Sequence, residues 1–483
     1  MTVVATSGTL FVNPERKAVG FEFPRSADGT YDYDKEFHFH SERPVPKRSA
    51  KPAANTAPAN GSEKSSTCPV ALIGFGTVGR AVAKILCENL GGSLRLTHIC
   101  NRNVERKKQS WVPSHVVWTD DVECVLKSDA QIVIELIGGL NPAEQIVRSA
   151  LGSGKSVVTA NKQLIARHGP DLLYLASSKG CQIEFGASVA GGVPVLPALR
   201  TGLCGDRLHG IAGILNGTCN YILSRIENAR IPFSEALEEA QSRGYAEADA
   251  SEDLDGGDAR AKLGILVLAG LHMQVEPESI RARTIRAIDA VDFDYAAELG
   301  STIRQISRAD LKENTVFADV GPCVVPTESP FGRVQRNLNL VLTSGQYGGD
   351  VAFLGAGAGG DPTAVAVVSD LMFVAQGLAG GGGKREVASS VSRAQISSDF
   401  ETPWYLRFFV RDQPGIVARL AQILGAHRLN IDSLLQKPGF DKASLPFVIT
   451  LEPCRDSLLR PALEEMSGLD FAIRPCLCLP ILR

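Results

Sequence analysis

Long apolar runs are scarce: the longest strongly apolar one, Ile265–Leu268 with its flanks, falls far short of the roughly 20 residues a spanning helix needs, so no membrane span is expected. No basic, apolar and cleavable leader pattern opens the chain, which favours a cytoplasmic protein over a secreted one. The 11 cysteines lack a paired spacing, the nearest two being Cys476 and Cys478; an odd number without a framework predicts reduced thiols. An excess of one charge is missing too. With 50 Lys and Arg against 53 Asp and Glu, the formal net charge is −3, so neither nucleic acid nor an anionic membrane is an expected partner. What is present is ordinary globular material, 44% hydrophobic and 21% charged, of a length that suggests about three domains.

Against this background the stretch Gly244–Lys262 stands out, with six acids (Glu247, Asp249, Glu252, Asp253, Asp255, Asp258) and no base between Arg243 and Arg260. Its Asp253-Leu254-Asp255-Gly256 resembles the middle of a calcium loop, but the twelfth position of that register is Lys262 where a bidentate Glu belongs, which excludes it. Asp258 and Lys262 are four apart and share a face of the helix that follows. A lysine held against carboxylates at the mouth of an apolar helix suits acid/base chemistry. The alternative is a surface ion pair at a helix start.

Taken in order, residues 1–67 form an extension and a linker: YDYDKEFHFH has no sustained period, His38 and His40 lack further metal ligands, and 41–67 is too rich in Pro, Ala, Asn, Ser and Lys to bury a core. From Val70 an apolar strand runs into Gly74-Phe75-Gly76-Thr77-Val78-Gly79 and an amphipathic helix. In that pattern Gly74 permits the turn, Gly76 admits a pyrophosphate and Gly79 lets helix and strand pack, with phosphates on the helix N-terminus. The second strand, LRLTHIC, ends in Asn101-Arg102-Asn103 with Arg106, Lys107 and Lys108 beyond. Cations where an acid would meet a ribose hydroxyl favour NADP while leaving NAD open. Strands at 131–139 and 155–162 alternate with a helix and predict a doubly wound parallel sheet, with Gly138, Gly139, Asn161 and Lys162 at the carboxyl ends where ligands gather.

CQIEFGASVAGGVPVLPAL then leaves the sheet, and GIAGILNGTCNYILSRI reads as a strand, an Asn216-Gly217 turn and a helix capped by Thr218. A helix capped by Ser234 and ended by Gly244 leads into the acidic stretch. Beyond a long middle region come two strand-like runs, a second Gly-rich loop at 355–360, a helix from about Pro362-Thr363, and a Gly-rich linker over 379–403. Residues 404–483 read strand, helix, strand, strand, helix, strand, a ferredoxin-like order suited to binding rather than catalysis.

GFGTVGR, IELIGG, GKSVVTANK, ASVAGGVP, GILNGTCNYIL, GYAEAD…DLDGGDARAK and GAGAGGDPTA together resemble the homoserine dehydrogenase family, over residues 70 to about 378, and the Asp412-Gln413-Pro414-Gly415 junction resembles ACT modules. The resemblance implies a Rossmann domain (68–200, completed by 340–378), an α+β substrate-binding and dimerisation domain (201–339) and an ACT tail (404–483). It further implies NAD(P)H-dependent reduction of L-aspartate 4-semialdehyde to L-homoserine by a homodimer or larger homo-oligomer. Carried onto this chain, Lys262 is the proton donor; Lys162 stands beside the nicotinamide; Glu247, Asp253, Asp258, Gly217 and Thr218 meet the substrate. Asp258 also belongs to the catalytic set. Gly74, Gly76, Thr77, Val78, Gly79, Arg102, Gly138, Lys162, Gly244 and Gly359 meet the cofactor. A monovalent cation on the carbonyls of Val189, Gly191 and Val193 is implied as well, although Gly186 replaces a usual Glu there; Ala250 and Ala356 likewise replace usual prolines. ACT modules commonly bind an amino acid, and threonine is the natural effector to test. The rivals are another amino-acid dehydrogenase on this scaffold and a non-catalytic amino-acid sensor.

Overall fold

The structure is a computed structural model describing residues 67–88, 92–380 and 392–482, so His38, His40 and nearly all of the extension lie outside the described residues. A six-stranded, all-parallel sheet comes first: β1 (Cys68–Ile73), β2 (Leu94–Cys100), β3 (Val117–Thr119), β4 (Ile132–Glu135), β5 (Ser156–Thr159) and β6 (Ile183–Glu184), in the order β3-β2-β1-β4-β5-β6. The near-continuous apolar sequence of β1 follows from its position. Val70 and Leu72 face one core with the helices Thr77–Cys87 and Gly360–Ala379, while Ala71 and Ile73 face another with Ala143–Gly152 and Lys162–Ser178. Gly360–Ala379 is long and apolar enough to span a membrane, yet it packs Ala364, Val367, Leu371 and Val374 into the first of these cores. The expected doubly wound sheet is therefore present, with one correction: CQIEF does not leave it but supplies β6, which pairs with β5 before the chain turns away.

A seven-stranded mixed sheet forms the second layer. Its long hairpin, Ser301–Lys312 with Thr315–Pro326, lies between Leu208–Ile214 on one side and the short strand Gln395–Ser397 on the other. Leu338–Gly345 and Gly349–Ala356 extend this sheet rather than the parallel one. The return at 340–378 thus divides: its strands join the mixed sheet, and only its helix covers the parallel sheet. The segment expected as a linker is also partly built, since Ser392–Arg393 pairs with Met273–Gln274 and Gln395–Ser397 with the hairpin.

Residues 401–480 fold as Glu401–Val410, Ile416–Ala426, Ile431–Leu435, Leu445–Arg455, Asp456–Ser467 and Leu477–Pro480. The four strands are antiparallel in ferredoxin-like order, the first and third central. This sheet shares a core with the acidic stretch: Ala246, Ala250 and Leu254 are buried among Tyr221, Ile285, Ile288, Tyr405, Val448 and Leu479. Two expected helix caps move. Asn216, not Thr218, caps Gly217–Ala229 by accepting from the Cys219 N–H at 2.8 Å. Ser234 lies inside Phe233–Ser242, which starts behind Pro232 without a side-chain cap. In both cases the residue before the first helical turn has extended φ/ψ, the geometry that defines a cap.

Candidate active site

The parallel sheet positions one half of the site. Gly74 turns the chain at φ +102°, and a Cβ there would lie 2.6 Å from the Leu136 carbonyl oxygen. A Cβ at Gly79 would lie 2.0 Å from the Gly74 oxygen, so the helix Thr77–Cys87 can approach β1 only with glycine at that position. In front of the helix N-terminus Gly76 has open space around it. Backbone N–H groups, a positive helix end and room together suit a phosphate. The Phe75 N–H donates to Asn101 Oδ1 at 3.0 Å, tying the loop to the end of β2. Beyond β2, Arg102, Arg106 and Lys107 are exposed. Gly360 comes up against Thr77, bringing the second Gly-rich loop, with Gly359 as helix cap, to the first.

At the carboxyl ends of β4 and β5 the buried Glu135 accepts from the N–H groups of Ile137 (2.8 Å) and Gly138 (3.2 Å) and from Thr159 Oγ1 (2.6 Å). Asn161 donates from Nδ2 to the Gly139 carbonyl at 2.6 Å and caps the helix Lys162–Ser178 by accepting from Leu164 N–H. That cap fixes where Lys162 begins the helix and so aims its side chain.

Lys162 reaches the acidic stretch. Its Nζ lies 2.5 Å from Asp258 Oδ1, and Lys262 Nζ lies 2.7 Å from Asp258 Oδ2. Lys262 also donates to the Leu215 carbonyl at 2.8 Å, which accepts from Asn339 Nδ2 at 2.9 Å too. Asn216 Nδ2 donates to Asp258 Oδ2 at 2.9 Å and Asp253 Oδ1 at 2.6 Å. Asp258 is 6% exposed and Lys262 14%, whereas Lys162 is 38% exposed. Burial alone would raise the Asp258 pKa, but the ammonium groups of Lys262 and Lys162 outweigh it and hold the carboxyl well below the usual range. Burial would lower the Lys162 pKa, and the charge of Asp258 outweighs that, raising it. Asp253 has no such cation in contact; burial pushes its carboxyl up, against the Asn216 hydrogen bond. The result is an ionised acid gripping two ammonium groups beside a second, more easily protonated acid.

The expected residues separate into those brought together and those not. Lys162, Asp253, Asp258 and Lys262 form one cluster, with Gly217 and Thr218 at the start of the adjoining helix. Thr218 Oγ1 donates to the Tyr245 carbonyl at 2.6 Å, and Gln241 Nε2 to that of Glu247 at 3.1 Å, which pins the loop after Gly244. Glu247 and Gly244 are themselves exposed. Asn216 and Asn339, absent from the expected set, turn out to hold the cluster. An Asn-Gly pair read as a turn concealed Asn216, and nothing near Asn339 in the sequence marks it.

At the turn 186–193, Gly186 leaves the place of the family's usual Glu without a side chain of its own. The Asp370 carboxylate fills that space, accepting from Gly186 N–H at 2.6 Å; a Cβ on Gly186 would sit 2.8 Å from it. Burial, countered by Arg200, raises Asp370 to about 6.

Comparison with known proteins agrees with this geometry. Family models for "Homoserine dehydrogenase" (residues 194–372), "Homoserine dehydrogenase, NAD binding domain" (74–186) and "ACT domain" (404–470) match the chain. It is 36% identical over 420 residues to homoserine dehydrogenase of Synechocystis sp., covering 84% of this chain and 97% of that one. It is 35% identical over 392 residues to the Bacillus subtilis enzyme, covering 79% and 90%. A solved homoserine dehydrogenase from Thiobacillus denitrificans superposes with a TM-score of 0.80 at 32% identity, covering 86% of this chain and 98% of that one. A hyperthermophilic archaeal homoserine dehydrogenase in complex with NADPH matches with a TM-score of 0.55 at 26% identity, covering 64% and 98%. With these matches over most of its length, and with an acid held between two lysines beside its glycine-turned parallel sheet, the chain belongs to the homoserine dehydrogenase family of NAD(P)-dependent oxidoreductases and carries an ACT domain.

Proposed function

We propose that this site reduces L-aspartate 4-semialdehyde to L-homoserine, a step toward threonine, methionine and isoleucine. The carrying observation is Asp258 with one oxygen on each of Lys162 and Lys262. The nicotinamide cofactor supplies the hydride. Gly74, Gly76, Thr77, Val78 and Gly79 fit its pyrophosphate, Gly138, Gly244 and Gly359 are assigned to the same cofactor, and Arg102 with Arg106 favours the 2′-phosphate of NADP. As the aldehyde carbon accepts the hydride, its oxygen gains negative charge. Lys262 meets that charge and gives the oxygen a proton, becoming neutral. Lys162, the more exposed of the pair, stands toward the cofactor side and keeps a positive field over the same oxygen. Glu247, with Asp253 and Asp258, supplies the anions that a substrate ammonium needs, and Gly217 and Thr218 offer a helix N-terminus to its carboxylate. Homoserine-dependent reduction of NADP⁺ by the purified protein tests this reading, and no reduction with either NADP⁺ or NAD⁺ overturns it.

A monovalent cation on Val189, Gly191 and Val193 fits poorly. Val193 O already accepts from Val195 N–H, and Gly186 brings no side chain, so no step uses one. An amino-acid effector at the ACT domain is supported by a pocket of about 410 Å³ lined by Gln413, Gly415, Arg419, Asp470 and Phe471. A helix N-terminus beside one cation and one anion suits a zwitterion. Threonine should therefore slow the reaction, and an unchanged rate at saturating threonine would contradict it. A homodimer or larger oligomer is supported by Gly349–Ala356, an outer strand of the mixed sheet with Leu354 58% exposed.

A further inference from the structure

Asn216 meets three partners at once. Its Oδ1 accepts from Cys219 N–H at 2.8 Å, and its Nδ2 donates to Asp253 Oδ1 at 2.6 Å and Asp258 Oδ2 at 2.9 Å. Ser, Thr, Asp and Asn all make good helix caps. Of these, only Asn pairs a capping acceptor with an NH₂ group whose two hydrogens can each reach a different carboxylate. The helix needs no more than a cap, so the amide answers a second demand. Two acids side by side, Asp258 buried and Asp253 half-buried, repel each other, and neither lysine is in hydrogen-bonding contact with Asp253.

Resting on the reaction assigned above, we infer that Asn216 is a positioning residue of the catalytic centre: its amide bridges Asp253 and Asp258, so that Asp258 keeps one oxygen on Lys162 and the other on Lys262. Asp258 Oδ2 then receives both Lys262 and Asn216, which fixes the carboxylate plane and through it the direction of both ammonium groups. The groups facing the bridge are Asp258 and Lys262 on one helix, Lys162 on a second, Cys219 on a third, and Glu252 beside Asp253. Cys219 itself donates to the Asp253 carbonyl at 3.1 Å, so the backbone of Asp253 is held independently of the amide. Loss of the amide therefore unties the Asp253 carboxylate from that of Asp258 without releasing the loop.

The test compares Asn216→Ser, which keeps the cap and loses the donor, with Asn216→Ala, which loses both, and Asn216→Asp, which keeps cap and size but sets a third carboxylate against two. Each is assayed for homoserine-dependent NADP⁺ reduction across pH, with NADP⁺ affinity measured by fluorescence. We expect Asn216→Ser to bind NADP⁺ as the wild type does yet lose about 100-fold in kcat, the scale of a misplaced catalytic group. Its acid limb should move to higher pH, because the lost hydrogen bond had lowered the Asp253 pKa. Asn216→Asp should lose more than Asn216→Ser at neutral pH and recover part of it on acidification. If Asn216→Ser turns over with wild-type kcat and pH profile while Asn216→Ala does not, the residue is only a cap and the inference fails. Should Asn216→Ser not fold, wild-type kcat in Asn216→Asp overturns it equally. A wild type inert toward homoserine would instead sink the assigned reaction.

Discussion

Two buried aspartates in this protein are each clamped between two cations. Asp258 lies between Lys162 and Lys262; Asp319 lies between Arg281 (Nε to Oδ1, 2.9 Å) and Arg283 (Nη2 to Oδ2, 2.6 Å). Both are nearly inaccessible, and in both burial would raise the carboxyl pKa but the paired cations win and lower it. The cations make the difference. A lysine carries a compact charge on a flexible stem and can release a proton, whereas a guanidinium stays charged and locks into a planar fork. Arg281 uses that fork to reach Asp456 at 2.6 Å and the Ser398 carbonyl at 3.3 Å, so the Asp319 cluster joins the mixed sheet to the ACT domain. Similar electrostatics thus suit the proposed chemistry where the partners can titrate and architecture where they cannot.

The comparison can be broken at several points. Lys262→Ala should cost about 1,000-fold in kcat, within the range of a lost general acid, while NADP⁺ binding measured by fluorescence stays close to wild type. Asp319→Ala should invert that pattern. Leaving Arg281 and Arg283 without their shared acid should destabilise the chain by about 3–5 kcal/mol in denaturant unfolding, with kcat largely retained below the transition. Arg102→Ala combined with Arg106→Ala should weaken NADP⁺ by about tenfold, as expected for charge-assisted contacts, and leave NAD⁺ nearly unchanged; equal losses for both would place the 2′-phosphate elsewhere. The smallest effect at neutral pH is the acid dependence of stability. Because the Asp319 pKa is lowered on folding, its contribution is full above the unfolded value near 4 and is lost as pH falls through the folded value. Thermal melts from pH 5 down to 3 should show this slope, and Asp319→Asn should flatten it.

Much of this was legible in the chain, and the reasons are local. Gly74, Gly76 and Gly79 announce their turn because backbone geometry is a short-range demand, and Asp258 and Lys262 announce their contact because four residues make about one helical turn. Lys162 was placed by the rule that ligands gather at strand ends, although its partner lies 96 residues away (258 − 162). What the sequence hid is long-range. The hairpin Ser301–Pro326 carries no motif, Asn339 acts through a carbonyl 124 residues away, and the two short strands after residue 391 look like linker until their partners are seen. Asn-Gly so often marks a turn that it points to Thr218 as the cap; what decides for Asn216 is its extended backbone, which lets Oδ1 reach the Cys219 N–H.

The most direct test exchanges the two kinds of cation at Asp258, the aspartate of the proposed catalytic centre. Lys262→Arg keeps a positive charge beside Asp258 but offers a group that cannot give up its proton near neutral pH. Steady-state homoserine-dependent NADP⁺ reduction should then fall as far as in Lys262→Ala, with folding and cofactor affinity preserved. Wild-type turnover in Lys262→Arg would contradict the account, because charge alone, without a transferable proton, would be sufficient at that position.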